Sequence, residues 1–281
     1  MAKIIDGKGL AEKIREGVAV DVDKLKREKG VTPKLCVVLV GEDPASQIYV
    51  RHKERACEKA GIISETHRLS SKTKQNELID LIKTLNKDKS VHGILVQLPL
   101  PKGLDSIAAL NEIDPKKDVD GLHPMNMGKL LKGEDPLFVP CTPSGIIELI
   151  LSTGVEIKGK DAVVVGRSNI VGKPIALMLL QRHATVTICH SRTQDLAEKY
   201  KNADILVASV GSPGIIHGDM VKKGAIVIDV GMNRLKEKLV GDVDFDGAKE
   251  NAAYITPVPR GVGPMTIAML LKNTLKAAKG T

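Results

Sequence analysis

Ala162-Val163-Val164-Val165-Gly166-Arg167-Ser168-Asn169-Ile170-Val171-Gly172 is the stretch whose reading decides the fold. Its apolar opening, mostly β-branched, reads as a strand buried on both faces. The chain turns on Gly166, and Gly172 opens a run with helical character. A strand that passes through such a turn straight into a helix aims backbone N–H groups and the positive helix end at one point. That point suits a pyrophosphate. The spacing is G-x-S-x-x-x-G rather than G-x-G-x-x-G, so the plain dinucleotide fingerprint is not met. Ser168 is expected to stand in for the middle glycine by offering a hydroxyl donor. The competing reading is an ordinary tight strand-to-helix turn.

Apolar runs on either side extend the pattern. Downstream, strands are expected at 185–189, 205–209 and 225–230, with a further run at 252–256. Upstream, 8–29 has helical periodicity ending at Gly30, and 35–40 is a buried strand closed by Gly41. Asp43-Pro44 starts a helix, with Asp as N-cap and Pro in the first turn, that should stop at Gly61. A strand at 65–69, a helix at 75–86 and a strand at 91–98 follow. Pro99 and Pro101 end that last strand. Strands alternating with helices predict α/β architecture with parallel sheets. Residues 99–143 read as loop, punctuated by Pro115, Pro124, Pro136 and Pro140, before a helix at 144–151. The expected domains are 1–141, completed by a C-terminal helix at 264–281, and 142–263, a Rossmann-like doubly wound parallel sheet.

The nucleotide choice follows from the strand after the Gly-rich turn. An NAD site usually carries an acid about 20 residues beyond the glycines, to hold the ribose 2′-OH. Here the strand ends Cys189-His190-Ser191-Arg192-Thr193, with no acid before Asp195. Arg167, Ser191 and Arg192 are donors that welcome a 2′-phosphate. NADP is therefore preferred over NAD, with Gly166, Arg167, Ser168, Val171, Gly172, Ser191, Arg192 and Thr193 as its candidate ligands.

Tyr49 and Lys53 stand four apart and share a helix face. A partly desolvated lysine has a lowered pKa and can move protons. Alone the pair is weak, because most such lysines are simply solvated. It gains weight from Gln97, at the end of a buried strand, and from Asp120 in Asp118-Val119-Asp120-Gly121. Strand carboxyl ends form the ligand crevice of an α/β sheet, so these residues can converge. Asp120 could equally close a turn before Gly121.

Composition excludes several classes. Net charge is +8, but basic residues are interleaved with acids and aromatics are only 2 %, so nucleic-acid binding has little support. The 7 histidines are scattered, with no i,i+4 pair and no carboxylates at ligand spacing, and no metal is expected. Cys36, Cys57, Cys141 and Cys189 lack CxxC spacing and read as reduced, mostly buried thiols. Cys141 has only a modest claim as a nucleophile, at a helix entrance that lowers a thiol pKa, and a structural role is expected instead. No secretory leader and no apolar run of membrane-spanning length is read, so a cytoplasmic enzyme is expected.

Gly41-Glu42-Asp43-Pro44-Ala45-Ser46, Tyr49 to Lys53, Gly93 to Pro101, Asp118 to Gly121, Pro140-Cys141-Thr142-Pro143, Val165 to Ser168 with Val171 to Pro174, and Pro257-Val258-Pro259 with Gly261 to Thr266 occur in that order. The ordered set resembles the bifunctional methylenetetrahydrofolate dehydrogenase/cyclohydrolase family along nearly the whole chain. The resemblance implies two α/β domains with a cleft between them and a homodimer formed through the cofactor domains. It implies NADP-dependent oxidation of 5,10-methylenetetrahydrofolate to the methenyl cation, then hydrolysis to 10-formyltetrahydrofolate. Lys53 would move protons, Gln97 would hold Lys53, Tyr49 would orient the folate and Asp120 would accept from the pterin edge. Leu98, Pro99, Pro259 and Gly261 would complete the folate contacts. A dehydrogenase-only member of the family and an amino-acid or shikimate-type dehydrogenase are the alternatives, with a nucleic-acid-binding protein as the different class. One position departs from the family's Pro-Gly-Gly: Arg260 stands at the first Gly. Its φ is expected to be ordinary, and its side chain to meet the folate glutamate tail or a cofactor phosphate.

Overall fold

The computed structural model describes residues 1–236 and 238–280. The chain begins with β1 (Lys3–Ile4) and α1 (Gly7–Lys29). Then β2 (Lys34–Val40), α2 (Pro44–Lys59), β3 (Ile63–Leu69), α3 (Gln75–Lys87) and β4 (Gly93–Val96) alternate strand with helix. Three helices follow: α4 (Ser106–Glu112), α5 (Pro124–Lys132) and α6 (Cys141–Leu151). Alternation resumes with β5 (Asp161–Val165), α7 (Gly172–Leu180), β6 (Thr185–Cys189), α8 (Leu196–Lys201), β7 (Ile205–Ala208) and β8 (Ile226–Asp229). The chain ends with β9 (Asn233–Leu235), β10 (Lys238–Val240), α9 (Phe245–Asn251), β11 (Tyr254–Ile255) and α10 (Val262–Lys279).

Contacts divide the chain into two α/β units. One holds Glu12–Cys141 and the chain from Ile267 onward; the other holds Met1–Ala11 and Thr142–Thr266. In the first, β3, β2 and β4 form a parallel sheet in that order. β2 is central and almost wholly buried, which is why it reads as an unbroken apolar run. Val38, Val40, Leu78, Ile82 and Ile94 pack one core of this unit. In the second, six parallel strands run β1-β11-β8-β7-β5-β6. Val163, Val165, Leu206, Ala208 and Val227 lie in its core.

The N-terminal residues depart from the expected grouping. Lys3 and Ile4 pair with Tyr254 and Ile255, so the first eleven residues belong with the second unit. A two-residue strand carries too little period for a sequence pattern to register. The stretch expected as loop is also more regular. Asp105 caps α4, its carboxylate accepting from Ile107 N at 2.8 Å and Ala108 N at 3.1 Å. Pro124 sits in the first turn of α5, where its missing N–H costs nothing. Those prolines start helices or lie between them. The β9–β10 hairpin was likewise not expected.

Candidate active site

Ser46, Val50, Lys53 and Cys57 are buried at helical spacings along α2, so a lysine lies on the apolar stripe of the helix. Lys53 is only 8 % exposed. Its Nζ donates to Gln97 Oε1 at 2.8 Å. Gln97 follows β4, and its Nε2 donates to the Leu98 carbonyl at 2.6 Å, which fixes the end of the amide that Lys53 meets. Burial pulls the Lys53 pKa below the ordinary lysine range, against the opposing charge of Asp120. Tyr49, one turn earlier on α2, is half-buried, and burial raises its phenol pKa.

Asp120 reaches this cluster because the segment before it runs beside β4. Ile94 N donates to Lys117 O at 2.8 Å, and Ile94 bridges Asp118 in parallel register. Gly93 permits the approach, since a Cβ there would stand 2.7 Å from Val119 Cγ1. Gly121, at φ +75°, turns the chain where a Cβ would stand 2.5 Å from the Val139 carbonyl carbon. Buried Asp118 ties the loop together, accepting from Leu122 N at 3.1 Å, His123 N at 2.8 Å and Asn126 Nδ2 at 2.8 Å. Burial nonetheless pushes its carboxyl up to about 6. Asp120 is half-buried; desolvation raises its pKa, while the Lys53 charge pulls it down.

Cys141 has the surroundings of a structural thiol, as expected. It opens α6, yet burial and the neighbouring Asp120 raise its thiol well above the usual range rather than lowering it. Its Sγ donates to Val119 O at 3.2 Å, and its backbone N to Asp120 O at 3.3 Å. An unexpected residue braces the same strip: Asn273 Nδ2 on α10 donates to Val119 O at 2.9 Å and Val139 O at 3.2 Å. Its one signal in sequence is an amide among the apolar residues of the last helix.

The Gly-rich turn lies in the second unit. β5 ends at Val165, and a Cβ on Gly166, at φ +127°, would collide with the Ser209 carbonyl. A Cβ on Gly172 would collide with the Gly166 carbonyl. Ser168 also shapes the turn itself. Its Oγ accepts from Val171 N at 3.1 Å and Gly172 N at 3.2 Å, and its carbonyl accepts from Lys173 N at 3.0 Å. The turn thus spends the N–H groups of Val171, Gly172 and Lys173 on its own shape. Arg167, Ser168, Ser191 and Arg192 are exposed. Thr193 is half-buried, its Oγ1 accepting from His190 N at 2.9 Å, which closes the turn after β6.

Leu98 is half-buried, Pro99 and Pro259 are exposed and Gly261 is buried. In the second unit, Pro257–Gly263 and Asp229–Met232 line one shallow pocket. Arg260 stands there at φ +86°, overturning the expectation of an ordinary backbone. A side chain in that region carries strain that glycine does not.

A further correction concerns ligand spacing. Pairing of β2 with β3 brings Cys36, Glu65 and His67 within 4.8 Å of one another, which their distance in sequence conceals. Lys34 Nζ lies 2.7 Å from Glu65 Oε2, where a cation would otherwise sit, and His67 Nε2 lies 3.1 Å from Oε1. Burial pushes the Cys36 thiol up to about 11. The cluster works as an ion pair beside a protonated thiol.

Comparison with known proteins gives a consistent result. Residues 5–120 match the family model described as tetrahydrofolate dehydrogenase/cyclohydrolase, catalytic domain. Residues 140–281 match the same family's NAD(P)-binding domain. The "bifunctional protein FolD" of Moorella thermoacetica is 61% identical over 279 residues, covering 99% of each chain. The crystal structure of bifunctional FolD from Campylobacter jejuni aligns with a TM-score of 0.97 at 50% identity, covering 100% of this chain and 99% of that one. FolD of Trypanosoma brucei, solved with NADP and an inhibitor, aligns at 0.95 with 43% identity, covering 99% and 98%.

Proposed function

The chain belongs to the tetrahydrofolate dehydrogenase/cyclohydrolase family, and we propose that its two reactions use the residues described above. It is an NADP-dependent enzyme that oxidises 5,10-methylenetetrahydrofolate to 5,10-methenyltetrahydrofolate and hydrolyses that product to 10-formyltetrahydrofolate. The amino-acid and shikimate-type alternatives give way to the match of both family domains.

The observation that carries the residue assignment is a desolvated lysine held by an amide oxygen. A lowered pKa makes the neutral amine easier to reach, which a general base requires. Lys53 takes a proton from the water that attacks the methenyl carbon and supplies one to the ring nitrogen that departs. Gln97 aims the amine. Asp120 accepts from the pterin edge, and its charge keeps Lys53 from losing its proton altogether. Tyr49 orients the folate, with Leu98, Pro99, Pro259 and Gly261 as further contacts.

Bound NADP supplies the hydride acceptor for the oxidation. Gly166 and Gly172 leave the backbone bare where a Cβ would collide. Arg167 and Arg192 are exposed cations matched to a 2′-phosphate, with Ser168, Ser191 and Thr193 as hydroxyl partners and Val171 in the turn. The reading includes a homodimer. β6 is an edge strand with Ile188 41% exposed, and Ile170 and Leu180 are exposed nearby in sequence, which suits a second copy. The four cysteines are all free and buried, and among the described residues no helix is long and apolar enough to cross a membrane. The free, buried thiols support a cytoplasmic location.

The test is absorbance of the methenyl product. Protein with 5,10-methylenetetrahydrofolate and NADP should form it, then consume it faster than spontaneous hydrolysis. Formation without enzyme-dependent decay would mean a dehydrogenase alone and would remove Lys53 from its role.

A further inference from the structure

Two carboxylates without a part in either reaction lie at the carboxyl end of the second unit's sheet. Asp242 is 0% exposed. Its Oδ2 accepts from Val210 N at 2.7 Å and Gly211 N at 3.0 Å. Its Oδ1 accepts from Ser212 N at 2.9 Å and Asn233 Nδ2 at 2.9 Å. Asp229, the last residue of β8, anchors this arrangement to the sheet. Its Oδ1 accepts from Gly231 N at 2.9 Å and Asp242 N at 2.9 Å, and its Oδ2 from Val243 N at 3.0 Å. One carboxylate therefore gathers Val210–Ser212 after β7, and the other fixes that carboxylate in place.

The gathered loop adjoins the Gly-rich turn. β7 pairs with β5, with Ala208 opposite Val165, so the segments leaving the two strands are neighbours. Ser209 Oγ donates to Val165 O at 3.1 Å, and the Ser209 carbonyl is the atom that a Cβ on Gly166 would strike. Ligands of parallel α/β sheets bind outside these strand ends. Val210 is 37% exposed, so the loop has an open side while its N–H groups turn inward to Asp242.

We propose that Asp242 is a positioning residue of the cofactor site. It holds Val210–Ser212 as a second wall beside the Gly166 turn, so that NADP meets a preformed surface. The proposal rests on the reading of this unit as the NADP-binding domain. Its sharpest consequence is geometric. Each oxygen of Asp242 already takes two N–H donors, so an asparagine amide can satisfy one pair only, and its NH2 group must face the other. Asp242→Asn is nearly isosteric, yet it releases one side of the loop.

The experiment is titration of wild type and Asp242→Asn with NADP by calorimetry, alongside dehydrogenase kinetics and thermal melts. Kd and KM for NADP should rise about tenfold or more, the scale of a lost bond to a charged acceptor. At saturating NADP, kcat should hold within about threefold, a split that general unfolding would not give. A cooperatively folded Asp242→Asn protein with unchanged Kd, or with kcat lost and Kd kept, overturns the proposal. Should that variant fail to melt cooperatively, Asn233→Ala decides, because it keeps the carboxylate and removes one donor. A rise in Kd of about two- to fivefold is then expected, and no rise overturns the proposal. Wild type that binds no NADP would overturn the cofactor reading beneath it.

Discussion

Lys53 Nζ donates to Gln97 Oε1 across 2.8 Å, and the rest of that amide is committed to the Leu98 carbonyl at 2.6 Å. The amide oxygen therefore faces the amine as a neutral acceptor. Replacing it by a carboxylate, Gln97→Glu, puts a negative charge beside Lys53 and favours the ammonium form. The acidic limb of the pH profile for methenyl hydrolysis should move to higher pH, and the rate at pH 7 should fall. An unmoved profile would show that this amine does not titrate in the rate-limiting step.

Lys53→Met removes the base while filling most of its buried space. Methenyl hydrolysis should fall by about 10²–10⁴-fold, the usual contribution of general acid–base catalysis. NADP affinity, measured by calorimetry, should stay within about twofold. Hydrolysis at the wild-type rate would exclude Lys53.

Arg167→Ala tests the nucleotide preference. A lost charge-assisted bond to a phosphate is worth about 1.5–3 kcal/mol. The KM for NADP should rise by roughly ten- to a hundredfold, and that for NAD far less. Equal effects on both would sink the 2′-phosphate assignment.

Arg260→Gly relieves a backbone held at φ +86°. Strain of about 1–2 kcal/mol is released, against roughly 0.5–1 kcal/mol for the extra freedom of glycine in the unfolded chain. Net stabilisation of about 0.5–1 kcal/mol should raise Tm by roughly 1–4 °C. If the side chain meets an anionic tail or phosphate, one KM rises as well. Two unchanged Michaelis constants would remove that contact.

Asp118 and Asp229 set a pH dependence opposite to that of a paired surface carboxylate. Each is raised from 3.8 to about 6 by burial, so the folded state holds these protons more tightly than the unfolded chain. Their contribution to stability is fully present below pH 4 and is lost as pH rises through 6. A shift of about two units corresponds to roughly 3 kcal/mol for one such group. Relative to Asp118→Asn, wild type should therefore lose stability in urea between pH 4.5 and 6.5. A constant difference would contradict this.

The α/β alternation was legible because β2, β5, β7 and β8 are buried on both faces and carry unbroken apolar runs. Gln97 and Lys53 could be brought together from sequence because strand ends and the helices that follow them share one edge of a parallel sheet. What escaped depends on single atoms. The Ser168 hydroxyl accepts from two N–H groups of its own turn, a structural role beside the donor role expected of it. The direction of the Cys141 shift depends on burial beside Asp120, which outweighs a helix start. Cys36, Glu65 and His67 meet only through strand register, and Arg260 obeys a backbone laid down by the loop around it.

Asn273 grips carbonyls that were made 154 and 134 residues earlier. During translation the segment carrying Asp120 must therefore wait, unbraced, for almost the last turns of α10 to leave the ribosome. A chain halted before that point has its lysine, its amide and its carboxylate but not the brace beside them. Such fragments should bind folate poorly.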